Sequence, residues 1–413
     1  MEIKQMINRR RFIETSTLLA TGILLPVGWH SWVARGVAQN IPNRKKLVVI
    51  LLRGAVDGLN VVVPHQDPDY YEARPTVAVP YPGEPEGVLD LDGYFGLHPA
   101  LADLMPLWKN KSLAFLHACG SPLETRSHFD AQDYLESGTP GQKSTPDGWM
   151  NRLLACLPKE SPVQALNVGN TTPRILMGSM PVATLAPGKG STRPLAVDHT
   201  ILGNAFKSLY AQNDDLSKTY QEGVEARKIL LTQLNQEMMS ASRGAPLADQ
   251  FVDDAKKVAQ LIAGDAKTQL AFMAIGGWDT HINQKEFLNQ SLKSLGKGLA
   301  TLVKGLDSVY QDTVIMVMSE FGRTVKENGN GGTDHGHGNV VWLLGSSLEG
   351  GKMYGEWTGL AESVLYQGRD LPVTTDFREA IATVLTQHLQ LPYSQLAKIF
   401  PDYQPTSSLS FWS

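Results

Sequence analysis

Leu47-Val48-Val49-Ile50-Leu51-Leu52 is six apolar residues without a break, running into Arg53-Gly54-Ala55-Val56-Asp57-Gly58-Leu59-Asn60. An uninterrupted apolar run of this length predicts a central strand buried on both faces, as in a parallel sheet covered by helices. Asp57 then stands just past the carboxyl end of that strand, flanked by glycines. In open α/β sheets this edge is where ligands bind. An aspartate there also serves as a turn or helix cap.

The same pattern repeats outward along the chain. Residues 112–117, 164–168, 270–275, 314–318 and 340–344 read as further strands. Helical patterns cover 98–109, a segment running to 136, 147–157, 216–239, 247–263, 287–310 and 376–389. Residues 64–97 and 171–197 are rich in Pro and Gly and read as loops, the second as an irregular lid or rim. Strands alternating with helices predict one α/β domain over residues 47–405, a mostly parallel sheet with helices on both faces. A largely helical excursion is expected at about 198–265.

The remaining composition sets limits. Hydrophobic residues make up 42% of the 413-residue chain and charged residues 19%, as expected for a globular protein with a sizeable core. Net charge is −4. Removing the five Lys/Arg and two Asp/Glu of the first 38 residues leaves 32 basic against 39 acidic, a net −7. That balance offers nothing to nucleic acid or to an anionic membrane. Residues 1–38 read as an export signal. Asn8-Arg9-Arg10-Arg11-Phe12-Ile13 precedes an apolar run from Leu18 to Val27 and a small-residue end at Gly36-Val37-Ala38. The arginines resemble the twin-arginine signal, which implies the twin-arginine export machinery as a partner and a periplasmic or secreted, pre-folded protein. An uncleaved anchor is the competing reading, although Thr21, Gly22 and Pro26 interrupt the run. No stable transmembrane segment is expected after cleavage, and residues 39–46 read as a linker. Cys119 and Cys156 either pair or remain buried thiols.

Chemistry-bearing residues collect at the strand ends. Gly276-Gly277-Trp278-Asp279-Thr280-His281 follows one strand, and Asp279 and His281, two apart on extended backbone, face the same way. Ser319-Glu320-Phe321-Gly322-Arg323-Thr324 follows another. Gly331-Gly332-Thr333-Asp334-His335-Gly336-His337-Gly338-Asn339 comes next, with one carboxylate and two imidazoles among glycines. Asp57, Asp279, His281, Glu320, Asp334, His335 and His337 are therefore candidate ligands for one or two divalent metal ions. Zn²⁺ or Mn²⁺ suits mixed ligands, and Mg²⁺ or Ca²⁺ suits a carboxylate majority. Ser127, opening a helix, is either its cap or a metal-activated nucleophile. Arg126 and Arg323 are candidates for binding substrate oxygens.

Together the segments Leu52 to Asn60, Thr125 to Asp130, Gly276 to His281, Ser319 to Thr324 and Thr333 to Asn339 resemble the bacterial family called domain of unknown function 1501. The resemblance implies an alkaline-phosphatase-like α/β/α sandwich, grouped with alkaline phosphatases, sulfatases and phosphoglycerate mutases. It implies a metal-dependent hydrolase of phosphate or sulfate esters acting on a small-molecule or glycan ester. By that likeness Asp57 is a first-strand metal ligand and Ser127 the nucleophile. Glu320-Phe321 stands where a consecutive Asp-His pair is usual, so an imidazole is missing unless His335 supplies it. An inactive descendant that binds a glycan or protein partner is the second expectation.

Overall fold

The structure, a computed structural model, describes residues 44–158, 164–188, 241–264, 268–406 and 409–412. The expected signal and the helix at 216–239 lie outside the described residues, as does most of the linker. Its last residue, Lys46, already belongs to a strand.

Among the described residues nine strands form the main sheet: β1 (Lys46–Leu52), β2 (Leu113–Gly120), β3 (Ala165–Val168), β4 (Ala183–Leu185), β5 (Leu270–Ile275), β6 (Thr313–Ser319), β7 (Asn339–Leu344), β8 (Lys352–Tyr354) and β9 (Thr375–Asp376). Their order is β8-β2-β7-β6-β1-β5-β3-β4, with β9 also pairing β2. β1 lies at the middle, parallel to both β5 and β6. Within this sheet every strand pairing among the described residues is parallel except those of β7, which runs antiparallel to β2 and β6.

Period-two alternation along β1 divides the core. Val48, Ile50 and Leu52 enter one apolar layer with helices α3 (Phe251–Gly264) and α4 (Gln284–Leu306). Leu47, Val49 and Leu51 enter the other, with α1 (His128–Ser137), α2 (Trp149–Cys156) and α5 (Phe377–Thr383). Both faces of the strand are thus filled, which is why its sequence does not alternate. On α4, Leu288, Leu292, Leu295, Leu299, Leu302 and Leu306 are all buried, a stripe at helical spacing. The architecture is the expected α/β/α sandwich.

Several expectations need correction. The stretch expected as loop at 64–97 carries a helix, Pro68–Ala73, and two strands, Leu89–Asp90 and Gly96–Leu97, of a small three-stranded sheet completed by Val62–Val63. Residues 183–185 form the edge strand β4, too short for a periodic signal. Phe411 is fully buried against α5 and its neighbours, so the core draws on chain beyond residue 405. Of the two alternatives for Cys119 and Cys156, the structure has the free thiols, Cys119 buried and Cys156 partly so.

Among the described residues, no helix is long and apolar enough to cross a membrane.

Candidate metal centre

β1, β2, β5 and β6 run the same way, so the loops after residues 52, 120, 275 and 319 emerge at one sheet edge. β7 runs the other way, so the segment before Asn339 emerges there too. One antiparallel strand therefore brings residues 334–338 to the carboxyl edge of the parallel strands. The two loops after β6 and before β7 zip together: Thr324 N–H donates to Asp334 O (2.9 Å) and Gly336 N–H to Gly322 O (2.8 Å). Gly54 has φ +114°, and a Cβ there would lie 2.7 Å from Asp279 N. Only glycine allows the β1 and β5 loops to approach so closely.

At this edge three imidazoles converge on one carboxylate oxygen. Asp279 Oδ1 lies 3.0 Å from His281 Nε2, 3.2 Å from His335 Nε2 and 3.5 Å from His128 Nε2. His335 Nε2 is 3.0 Å from both His128 Nε2 and His281 Nε2. All three Nδ1 atoms point outward to acceptors. His128 Nδ1 is 2.8 Å from Glu320 Oε1, His281 Nδ1 is 3.1 Å from Asp334 Oδ1, and His335 Nδ1 is 2.9 Å from the Arg126 carbonyl. Carboxylates and carbonyls only accept, so each Nδ1 carries a proton and each Nε2 faces inward, as a lone pair wherever the ring is neutral.

Three lone pairs and a carboxylate oxygen facing one point repel unless something positive lies between them. The separations of 3.0, 3.2 and 3.5 Å among His128, His335 and Asp279 fit a small cation, since ligands at Zn–N bond lengths in a tetrahedron are about 3.3 Å apart, while His281 reaches Asp279 and His335 but lies outside the mutually close group. The second oxygen, Asp279 Oδ2, is buried without a protein partner. Among the described residues, His128, Asp279 and His335 form the one group of three or more such side chains whose ligand atoms all lie close together, within 4.8 Å. The residues therefore fit a metal ion.

The electrostatics agree. Burial would raise the Asp279 pKa, but hydrogen bonds to the three imidazoles and the Arg323 charge outweigh it and hold the carboxyl far below its usual range. Burial likewise opposes charge on His128, yet Asp279 and Glu320 pull its pKa up to about 9. Glu320 is fully buried, which favours its neutral form. His128 and Gln132 overcome this and bring its pKa to about 2. Burial opposes charge on His281 too, and Asp279 draws its pKa upward against it.

The sequence-predicted residues divide into three groups. Asp279, His281 and His335 meet at the centre. Glu320 and Asp334 lie one step out and orient imidazoles. Glu320 also accepts from Gly54 N (2.8 Å) and Gln132 Nε2 (2.8 Å), which fixes it. The rest stand elsewhere. Asp57 is fully buried and bonded to Arg74 Nη1 (2.6 Å) and Gln284 Nε2 (2.5 Å), so its oxygens are occupied away from the imidazoles. His337 packs its ring 4.9 Å from that of Tyr366. Its backbone carbonyl, not its imidazole, joins the loop pairing.

Arg323 is fully buried, and its guanidinium is saturated. It donates to Asp279 Oδ1 (2.5 Å), Ala55 O (2.7 Å), Gly54 O (2.9 Å) and Thr333 O (3.0 Å). It holds Asp279 in place and has no face left for a substrate. The Arg126 guanidinium is tied to Glu124 (2.9 Å) and Asp370 (3.0 Å). Ser127 is exposed, and its Oγ accepts from Asp130 N at 3.4 Å as the N-cap of α1.

Sequence reasoning missed His128. It is the first residue of α1, so the cap at Ser127 turns it toward the sheet edge. Phe321, the residue in place of an expected histidine, sits 4.8 Å from the His128 ring and 5.2 Å from that of His335 and backs both. A single histidine at a helix start carries no spacing signal, and only convergence marks it.

Curated proteins yield no match to the chain. Solved structures similar to it include a protein in the alkaline phosphatase superfamily from Vibrio parahaemolyticus. That likeness has 10% identity and TM-score 0.42 and covers 84% of this chain and 66% of that one, just under two thirds of its length. The C-terminal periplasmic domain of EcEptC from Escherichia coli, in complex with Zn, is similar at 9% identity and TM-score 0.35, covering 73% of each chain. A phosphonate monoester hydrolase from Silicibacter pomeroyi is similar at 8% identity and TM-score 0.38, covering 87% and 78%. Likeness at this level transfers no residue roles. The match to a family is another matter, since residues 44–400 fit it continuously. The chain belongs to the family described as protein of unknown function, DUF1501.

Proposed function

We propose that this protein is a metal-dependent hydrolase of phosphate or sulfate esters, with its metal held by His128, Asp279, His281 and His335. The observation that carries the reading is the convergence of three inward Nε2 atoms on Asp279 Oδ1, with every Nδ1 anchored to an acceptor. Imidazole-rich ligation favours Zn²⁺ or Mn²⁺ over Mg²⁺ or Ca²⁺, which seek oxygen ligands. One ion is the reading, since Asp57 and His337 do not reach the cluster. When bound, a divalent ion supplies Lewis acidity toward an ester oxygen and lowers the pKa of a hydroxyl or water.

The chain's own groups do the rest. Ser127 is the exposed hydroxyl preceding His128, at a helix start whose dipole favours negative charge. In this reading it is the attacking oxygen, displacing the alcohol and leaving a phosphorylated or sulfated serine for water to cleave. Arg126 presents its half-exposed guanidinium near the same edge and is the group to meet an anionic substrate. The twin-arginine-like signal supports a periplasmic or secreted protein, exported folded with its metal in place.

Elemental analysis of the purified protein, combined with turnover of aryl phosphate, phosphonate and sulfate esters by wild type and Ser127→Ala, tests the reading. About one metal per chain and chelator-sensitive, Ser127-dependent turnover support it. Full turnover in Ser127→Ala transfers the attack to water. No metal and no turnover would overturn the reading in favour of a binding protein on the same fold.

A further inference from the structure

Asp57, which does not reach the metal centre, lies in a fully buried polar network that does reach the loops carrying it. Arg74 grips Asp57 with both Nη atoms (2.6 and 3.2 Å) and also donates to Asn60 Oδ1 (2.6 Å). It donates further to the carbonyls of Thr324 (2.9 Å) and Val325 (2.8 Å), just past Arg323. On the other side Gln284 Nε2 donates to Asp57 Oδ2 (2.5 Å). Gln284 Oε1 accepts two hydroxyls, from Thr280 (3.0 Å) and Thr333 (2.6 Å). Thr280 sits between the ligands Asp279 and His281, and Thr333 is two residues before the ligand His335.

Asp57, Arg74, Gln284 and Thr333 are fully buried, and Thr280 is 2% exposed. The amide orientation of Gln284 is fixed by its partners, because reversing it would set its oxygen against the Asp57 carboxylate. A buried ion pair adds little stability over apolar residues of the same volume. What this one supplies is register: three loops from three strand ends are tied to one carboxylate.

We propose that Gln284, held by the Asp57–Arg74 pair, is a positioning residue for the metal centre. It sets the separation of the Asp279–His281 loop from the His335 loop and so tunes metal affinity without touching the metal. The inference rests on the metal-centre reading above. It differs from a purely structural role because it predicts a change in the affinity of the folded protein.

The test is apparent Zn²⁺ and Mn²⁺ affinity by chelator competition, measured well below the melting temperature, with melting curves recorded in parallel. Gln284→Met keeps the side-chain volume but removes the bonds to Thr280, Thr333 and Asp57. Affinity is expected to fall about 10- to 100-fold, the range seen when groups orienting metal ligands are lost. Gln284→Glu sets two carboxylates together and is expected to fall further. Adding Asp57→Asn to Gln284→Glu restores one carboxylate and one amide in exchanged order and is expected to recover part of the loss. Wild-type affinity in folded Gln284→Met, even with a lower melting temperature, would overturn the positioning role and leave the metal centre standing. Absence of metal binding by wild type would overturn both.

Discussion

His128 Nε2 and His335 Nε2 stand 3.0 Å apart although the residues are 207 positions apart in sequence. Each ring spends an Nδ1 proton on an acceptor, so with both rings neutral the contact would join two lone pairs. It makes sense only with a cation or an extra proton between them.

His128→Ala removes one inward nitrogen, and the metal content of the purified protein should fall from about one per chain toward zero. His337→Ala should retain its metal, because that ring faces Tyr366. Elemental analysis of the two variants side by side checks the assignment. Equal loss in both would return His337 to the site.

Glu320→Gln keeps the shape and loses the charge that orients His128. Metal affinity should drop about 10- to 100-fold with the fold intact. Circular dichroism establishes the fold and chelator competition the affinity. An unchanged affinity would show that the Glu320–His128 bond does not control the ligand.

Arg323→Met leaves the Asp279 carboxylate and several loop carbonyls without their buried donor. Breaking a buried pair by removing one partner costs about 3–5 kcal/mol. Denaturant titration of metal-free wild type and variant measures this, and a loss below about 1 kcal/mol would contradict the saturated, buttressing role.

Acid should destabilise the protein through histidines outside the centre. Burial pushes His98 and His388 down to about 4 and His117 down to about 3. These rings are neutral in the folded state and protonate near 6.5 once unfolded. The unfolded chain therefore binds more protons between pH 6.5 and 4, and stability is full above 6.5 and falls as pH drops through that window. The slope of unfolding free energy against pH near 5 should decrease by about one proton in His388→Phe. An identical slope would mean that His388 titrates normally in the fold.

Much of this was readable along the chain. The unbroken run from Leu47 to Leu52 announced a strand covered on both faces, and the leucine spacing of α4 its buried stripe. The pairing of Asp279 with His281 follows from the two-residue repeat of extended backbone. His335 was marked by its glycine-rich setting beyond a strand. These signals are local, set by neighbours within a few residues.

Other assignments depended on groups hundreds of residues away. Asp57 has the sequence setting of a ligand, and Arg74 and Gln284 decide otherwise by occupying its oxygens. Glu320 has ligand chemistry, yet its Oε1 is engaged by His128 Nδ1, Gly54 N and Gln132 Nε2, which makes it a support for His128. The sequence by itself marked Asp279, His281 and His335 as standing just past strand ends, because an unbroken apolar run locates a buried strand and the polar residues after it begin a loop. Only the tertiary structure decided which of their atoms meet, because ligation depends on angstrom-scale separations set by the antiparallel return of β7 and the packing of loops from four other strands.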